Sequence, residues 1–491
     1  MILDDYKTNS SSPSKAGNVA TEEARWEWYS FTVARLSETC NCQHVPTGSM
    51  PEQSNEREVK SKRQRWRKAA IVLAGVAAVG IASIFARYRG LIFPVRIGSG
   101  SMAEQLLGPH YRVVCGDCRF VFRCGLDVEA RLGVTTCPNC GYRRNELADS
   151  QLVQGEQVLI DRWAYWNQTP LRGNLVAFVD PTNDKKLAVK RIVGFPNERL
   201  RISEGELWIN GELQRKDLQA AKEVAVLVHD DSFRHVASDD LPMRWRDPAD
   251  AGGWNVIESG FEYAPERNGT ASGTGWLAYH HWRCYSSPAD RAEEVPIADN
   301  YGYNQGLSRE LNQVTDVWLS LRSSLQADTS LTLLIHDGRE SFRFVLSMAA
   351  RKVELRRGGK VVEEASLPNI SVGIPVELEC GILDRQLFLQ VRGAEVIWQR
   401  YEPHPETERI PRPDPIQIGV TSSERVTVTN LQVFRDIYYL ERVGRASEET
   451  TLGADAYFVI GDNVPLSVDS RYWPKVGLSQ KQLLGKVLKR K

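Results

Sequence analysis

The sequence predicts a mainly β protein carried by one N-terminal transmembrane helix, and three observations support that reading. Short apolar and β-branched runs bounded by Gly, Pro and Asn recur from residue 156 onward, which is the pattern of strands. Asp337-Gly338, Gly358-Gly359 and Arg392-Gly393 each stand between alternating runs, as hairpin turns do. A single segment, "AAIVLAGVAAVGIASIFA" at 69–86, runs 18 residues without a charge, near the lower limit for crossing the hydrocarbon core.

Residues 1–59 are rich in Ser, Glu and Asn without sustained periodicity, and read as a disordered cytoplasmic tail. The anchor and its basic flank occupy 60–89. Lys60, Lys62, Arg63, Arg65, Arg67 and Lys68 precede the apolar run, whereas Arg87 and Arg89 follow it. The denser basic flank is expected to stay in the cytoplasm, which puts the rest of the chain outside the cytoplasmic (inner) membrane in a single-pass arrangement. The segment neither starts near residue 1 nor ends in a small-residue cleavage site, so it reads as a permanent anchor in the lipid bilayer rather than a removed signal peptide.

Beyond the anchor, 90–229 reads as the first part of a β domain, with strands in "EQVLIDRWAY", "GNLVAFVDP", "LAVKRIVGF" and "LRISEGELWINGEL". From 230 to 440 the series of hairpin signals predicts an antiparallel β-sandwich. The last part, 441–491, resumes the pattern of 90–229 with "YFVIGDNVPLSVDSRYW", so the sandwich is read as inserted into the first β domain. The chain's 491 residues suffice for two or three domains. Lys plus Arg equals Asp plus Glu, 62 against 62, so no global charge points to nucleic acid and none is expected as a partner.

Cysteines cluster within a segment at 111–145. "CGDC" (115–118) and "CPNC" (137–140) form a CxxC–x18–CxxC pattern, the spacing of a four-cysteine zinc ribbon. Cys115, Cys118, Cys137 and Cys140 are therefore candidate ligands of a structural zinc ion. Disulfides are the competing reading for a segment facing an oxidising exterior. Cys124 reads as a fifth, non-ligating cysteine, and "CNCQH" (40–44) is too short to assign.

The candidate chemistry starts at "RIGSGSMAEQLLG" (96–108). Ser101 alone does not separate a nucleophile from a loop hydroxyl, although Gly100 removes a side chain beside it and would let a substrate backbone approach. A serine nucleophile needs a base. None of the eight histidines has a telling context, and six of them lie between 229 and 404, in or at the edge of the sandwich. A lysine serves instead only where burial depresses its pKa. "LAVKRIVGF" supplies one in Lys190, which shares a strand face with Ala188 and Ile192 while Arg191 points the other way.

"SGSM" beyond the anchor, then "RGNLVAFVDP", "KRIVGFP", "LWINGE" and "GDNVPLSVDSRYW", in that order, resemble type I signal peptidases. The resemblance covers the anchor and roughly half the exterior chain, but not 230–440. It implies a membrane-bound serine endopeptidase that forms an acyl-enzyme through a Ser-Lys dyad, needs no catalytic cofactor, and cleaves exported preproteins with small residues at −1 and −3. By motif, Ser101 would be the nucleophile and Lys190 the general base. Ser99 would join the Ser101 backbone N–H in stabilising the oxyanion. Ser467 would orient the lysine, and Asp469 and Arg471 would form a supporting ion pair. The sequence departs from the family pattern at Glu104-Gln105, where Pro-Thr is usual, at Gly98 in place of Pro, and at Val464-Pro465-Leu466 in place of Arg-Asp-Asn. The end of the insert, "VTVTNLQVFRDIYY", is similar to the last strand of laminin-G or concanavalin-like sandwiches. The alternative function is a catalytically degenerate, anchored binding protein whose sandwich takes carbohydrate or protein.

Overall fold

The computed structural model describes residues 55–90, 92–126, 133–166, 168–235, 241–248, 253–265, 273–285, 291–404, 407–441 and 448–488. The N-terminal tail, with "CNCQH", lies outside them except for the first residues of the helix Asn55–Gly90. Two compact units divide at Ala77/Ala78. Within the helix, Arg63–Ile84 is long and apolar enough by length and composition to cross a membrane.

The second unit is mainly β. A seven-stranded antiparallel sheet consists of β1 (Ile92–Arg96), β2 (Gln157–Asp161), β3 (Leu175–Asp180), β4 (Asn183–Gly194), β5 (Ala456–Ile460), β6 (Leu478–Ser479) and β7 (Leu483–Leu488). Their spatial order is β1-β2-β7-β3-β4-β5-β6, so β5 to β7 return to the same sheet after a long excursion of the chain. Strand alternation lets β3 cover two cores. Leu175 and Ala177 join Ile160 and Met102 on one face, and Val176 and Phe178 join Val459 and Trp473 on the other. A smaller sheet pairs Arg199–Ser203, Glu206–Ile209, Glu212–Leu213 and Thr450–Thr451.

The excursion forms two further sheets that enclose the largest apolar core, which includes Phe342, Phe344, Leu389 and Val433. Gly358 and Gly359 both have positive φ, as do Arg392 and Gly393; this is the backbone that two-residue hairpins with the sheet's right-handed twist require. The sandwich starts slightly before the pattern change at 230. Val226–Asp230 already pairs with Val426–Arg435, which brings the entry and exit of the excursion side by side.

The four-cysteine segment is likewise wider than 111–145. His110–Val114 pairs with Val121–Gly125 and Gln151–Val153, and Val134–Thr135 pairs with Asn145–Glu146.

Candidate active site

Ser101 lies in the single 3₁₀ turn Gly100–Met102, five residues past the end of edge strand β1. Met102 and Leu106 anchor the turn in the core under the sheet, leaving Ser101 half-buried. The Ser99 hydroxyl is exposed and donates to Ser101 Oγ at 3.4 Å.

Lys190 is in β4, only 4% exposed. Burial, its largest influence, pushes its pKa down from 10.5 to about 8, and Arg471 adds to the fall while Asp469, Asp462 and Asp180 oppose it. Neighbouring Arg191 takes the opposite side of the strand, where its guanidinium holds both Asp462 oxygens at 2.8 Å.

The two strand segments meet at Gly461. β4 and β5 pair Arg191 with Ile460, the last residue of β5 and the neighbour of Gly461. Ser467 Oγ and the Ser101 carbonyl both occupy the space that a Cβ on Gly461 would need. Ser467 is 3% exposed, and among the described residues its hydroxyl has no hydrogen-bond partner.

The loop 461–471 is shaped from within by Asp469 and Arg471. Their side chains pair at 2.8 and 2.9 Å and are almost fully buried. Asp469 Oδ2 accepts the Gly461 N–H at 3.1 Å, and Arg471 donates to the Val464 carbonyl at 2.8 Å and the Ser467 carbonyl at 3.3 Å. Burial alone would depress the Arg471 guanidinium, but Asp469 holds it above its ordinary value.

A second set of contacts was not read from the sequence. Asn463 donates its backbone N–H to the Ser101 carbonyl at 3.2 Å and its side-chain N–H to the Gly100 carbonyl at 3.0 Å. The Asn463 side chain also pairs with that of Asn304, which belongs to the sandwich excursion. Next to Asn304, Tyr303 is 1% exposed and fills the space beside Gly100. The absence of a side chain at Gly100 thus accommodates this ring, rather than serving only substrate approach. Two departures from the family pattern fall here. Leu466 packs on the Tyr303 cluster. The Glu104 carboxyl is pushed above its usual range, by burial first, with Arg123 and Arg435 pulling it down.

Cys115, Cys118, Cys137 and Cys140 are all buried, with their sulfurs within 4.8 Å of one another. Two of the separations are 3.6 Å (Cys115–Cys140) and 3.7 Å (Cys118–Cys137). Four thiolates about 2.3 Å from a tetrahedral zinc ion stand roughly 3.8 Å apart, so the donor set fits zinc. The same sulfurs are too far apart for S–S bonds, which are about 2.05 Å long. Cys124 is outside the cluster and accepts from Thr135 Oγ1 at 3.6 Å.

The family described as signal peptidase, peptidase S26, matches residues 142–243 and 421–490. These ranges hold Lys190, Ser467, Asp469 and Arg471, while Ser101 lies before them. The chain is similar to mitochondrial inner membrane protease subunit 2 of Danio rerio, 31% identical over 65 residues, covering 11% of this chain and 36% of that protein. It is also similar to probable signal peptidase I-2 of Synechocystis sp., 30% identical over 86 residues, covering 16% of this chain and 39% of that protein. The chain thus spans well under half the length of either relative. Among solved structures, it is similar to carbohydrate-binding module CBM66 from Bacillus subtilis (10% identity, TM-score 0.22, 40% of this chain and 93% of that one). It is also similar to a galectin of Caenorhabditis elegans (17% identity, TM-score 0.19, 24% of this chain and 83% of that one). The family match and the two relatives show partial similarity to signal peptidases over the parts of the chain that flank the sandwich.

Proposed function

We propose that the chain is a membrane-anchored serine endopeptidase that removes signal peptides from exported preproteins through a Ser101–Lys190 dyad. The observation that carries this reading is the meeting of the buried Ser467 hydroxyl and the Ser101 carbonyl at Gly461, directly after a strand that pairs with the one carrying buried Lys190 and its depressed pKa. Neutral Lys190 takes the proton from Ser101 Oγ as the oxygen attacks the scissile carbonyl, then returns it to the departing amine, leaving an ester on Ser101. Ser99 Oγ and the Ser101 N–H stabilise the oxyanion. Ser467 orients the lysine, and the Asp469–Arg471 pair holds Ser467 in place. Water, activated by Lys190, then releases the acyl group.

β1 is an edge strand that leads into the Ser101 turn. A preprotein segment added along that edge would present alternate side chains to one wall, which suits small residues at −1 and −3. Ser101 follows Ala86 by 15 positions, a tether short enough to let the serine stay near the bilayer surface, with the catalytic part outside the cytoplasmic membrane. Cys115, Cys118, Cys137 and Cys140 would hold a structural zinc ion that supplies no step of the reaction.

The test is cleavage of a purified preprotein with Ala at −1 and −3 by the full chain in detergent. Wild type cleaves at that site, and Ser101→Ala and Lys190→Ala do not while still folding. Unimpaired cleavage by both variants overturns the dyad. A folded wild type without cleavage favours the anchored binding protein.

A further inference from the structure

A cavity of about 140 Å³ lies where the start of the sandwich meets the four-cysteine segment, and no residue of the serine turn lines it. His229, in the strand Val226–Asp230, and Arg244, just before the strand Trp245–Arg246, both line it. Each is 4% exposed. Among the described residues, neither His229 ring nitrogen has a hydrogen-bond partner, and neither does Arg244 Nε. Asp231 Oδ1 stands 3.7 Å from His229 Nε2, too far for a hydrogen bond, and Asp231 Oδ2 accepts from Arg234 Nε at 3.0 Å. Arg244 Nη1 donates to the Tyr279 hydroxyl and to His281 Nδ1, both at 3.3 Å, and Nη2 donates to Cys284 Sγ. None of these partners is a carboxylate.

Buried polar nitrogens are nearly always paired, so two side chains on one cavity with three unpaired nitrogens between them call for an occupant. Arg244 keeps its charge and can only donate, while a neutral imidazole offers one N–H beside one acceptor nitrogen. The occupant therefore carries an acceptor that both side chains can reach, and a negative charge on it suits the guanidinium. Trp282, Phe233 and Met243 supply apolar wall to the same cavity. Water would satisfy the nitrogens but has no partner on that wall, whereas a molecule with a hydrocarbon body uses both. The volume is close to the roughly 150 Å³ of an engineered cavity that takes benzene.

We propose that this cavity binds a small organic carboxylate of about six heavy atoms, a size set by the cavity volume. Its carboxylate accepts from Arg244 Nε and from His229, and its hydrocarbon body packs against Trp282 and Met243. The site is independent of the Ser101–Lys190 chemistry, and no cysteine sulfur is needed to hold the ligand. Its apolar wall is fixed to the ribbon through Trp282, whose Nε1 donates to the Cys140 carbonyl at 3.2 Å.

The test titrates the full chain in detergent with butyrate and with its neutral isostere butyramide, and soaks crystals of the same chain in butyrate. The expected result is one butyrate per chain, with its carboxylate between Arg244 and His229 in the soaked crystal. Butyramide should bind about tenfold more weakly, the size of a lost hydrogen bond to a charged group. His229→Leu should weaken butyrate by about the same factor without lowering the melting midpoint, since the ring nitrogens it removes bond nothing in the fold. Met243→Trp, which fills the half-buried rim of the cavity, should block butyrate. No saturable butyrate binding by wild type, or ordered water alone in the soaked cavity, overturns the proposal whether or not the variants fold. Equal affinity for butyramide overturns the choice of a carboxylate, and unchanged butyrate affinity in both variants overturns the site.

Discussion

Asn304 and Asn463 exchange hydrogen bonds through their side-chain amides, at 2.5 and 2.7 Å, across the boundary between the sandwich excursion and the loop after β5. The same Asn463 amide reaches the Gly100 carbonyl, and its backbone N–H reaches the Ser101 carbonyl. A residue 159 positions from Asn463 therefore helps fix the serine turn. Misplacing a reacting group by about 1 Å can cost about 10²-fold in rate. Asn463→Ala is expected to lower kcat by about that factor with little change in KM, and Asn304→Ala by less. Because both remove one linkage, the double variant should fall short of the product of the single effects. Steady-state preprotein cleavage checks this, and full additivity would separate the two residues' roles.

Lys190 predicts a pH dependence of both rate and stability. As a base it must be neutral, so kcat/KM should rise through a pKa of about 8. In the unfolded chain the same lysine titrates near 10.5. Below pH 8 both states are protonated and the native state bears the whole cost of burying the charge. Between 8 and 10.5 the unfolded chain holds more protons, so stability rises with pH. The shift corresponds to a cost on the order of 3 kcal/mol at pH 7. Lys190→Met should abolish cleavage, stabilise the protein at pH 7, and lack this rise, so that it shows as the difference between the two denaturation profiles. A wild-type rate that is flat from pH 6 to 10 would exclude Lys190 as the base.

Buried salt links around Ser467 give a different signature. Asp469 and Arg471 are both inside, and each also holds backbone groups of the loop 461–471. Removing one partner strands the other charge, which typically costs about 3–5 kcal/mol. Asp469→Asn should lower stability by about that much and reduce cleavage, since it also weakens the hold on the Gly461 N–H. Chemical denaturation measures the first effect. A change under about 1 kcal/mol would mean the pair is not needed to hold the loop.

How much of the fold and site was legible in the sequence depended on the range of the interactions. Strands and hairpins follow from alternation and from Gly pairs with positive φ, both local properties, and the two CxxC knuckles are equally local. The burial of Lys190 could be read from its apolar neighbours in "LAVKRIVGF". Contacts of the sandwich with the serine turn left no such trace. Tyr303 and Asn304 sit in an ordinary polar run, "NYGYNQG", and only the tertiary fold sets the ring between Gly100 and Gly125. The one available hint was the Val464-Pro465-Leu466 departure, since replacing polar residues by apolar ones suits a surface that receives Leu466 against Tyr303.

The four cysteines tie this seam together. The Cys140 carbonyl accepts from Trp282 Nε1 at 3.2 Å and Arg291 Nε at 2.8 Å, and the Asn139 side chain binds the backbone of Asp230 and Phe233. On the ribbon's other side, Gly125 receives the same Tyr303 ring that packs beside Gly100. A zinc ion held by the four thiolates would therefore brace a path from the sandwich to the serine turn. The purified chain is expected to carry one zinc. Its removal by a strong chelator should lower the melting midpoint and reduce kcat, and zinc added back under reducing conditions should restore both. Cys115→Ser should show the same loss without chelator, since three ligands hold the ion less well. Metal analysis beside the melting and cleavage measurements decides the matter. A zinc-free chain with two disulfides by mass spectrometry, insensitive to chelator, would replace the metal with covalent cross-links.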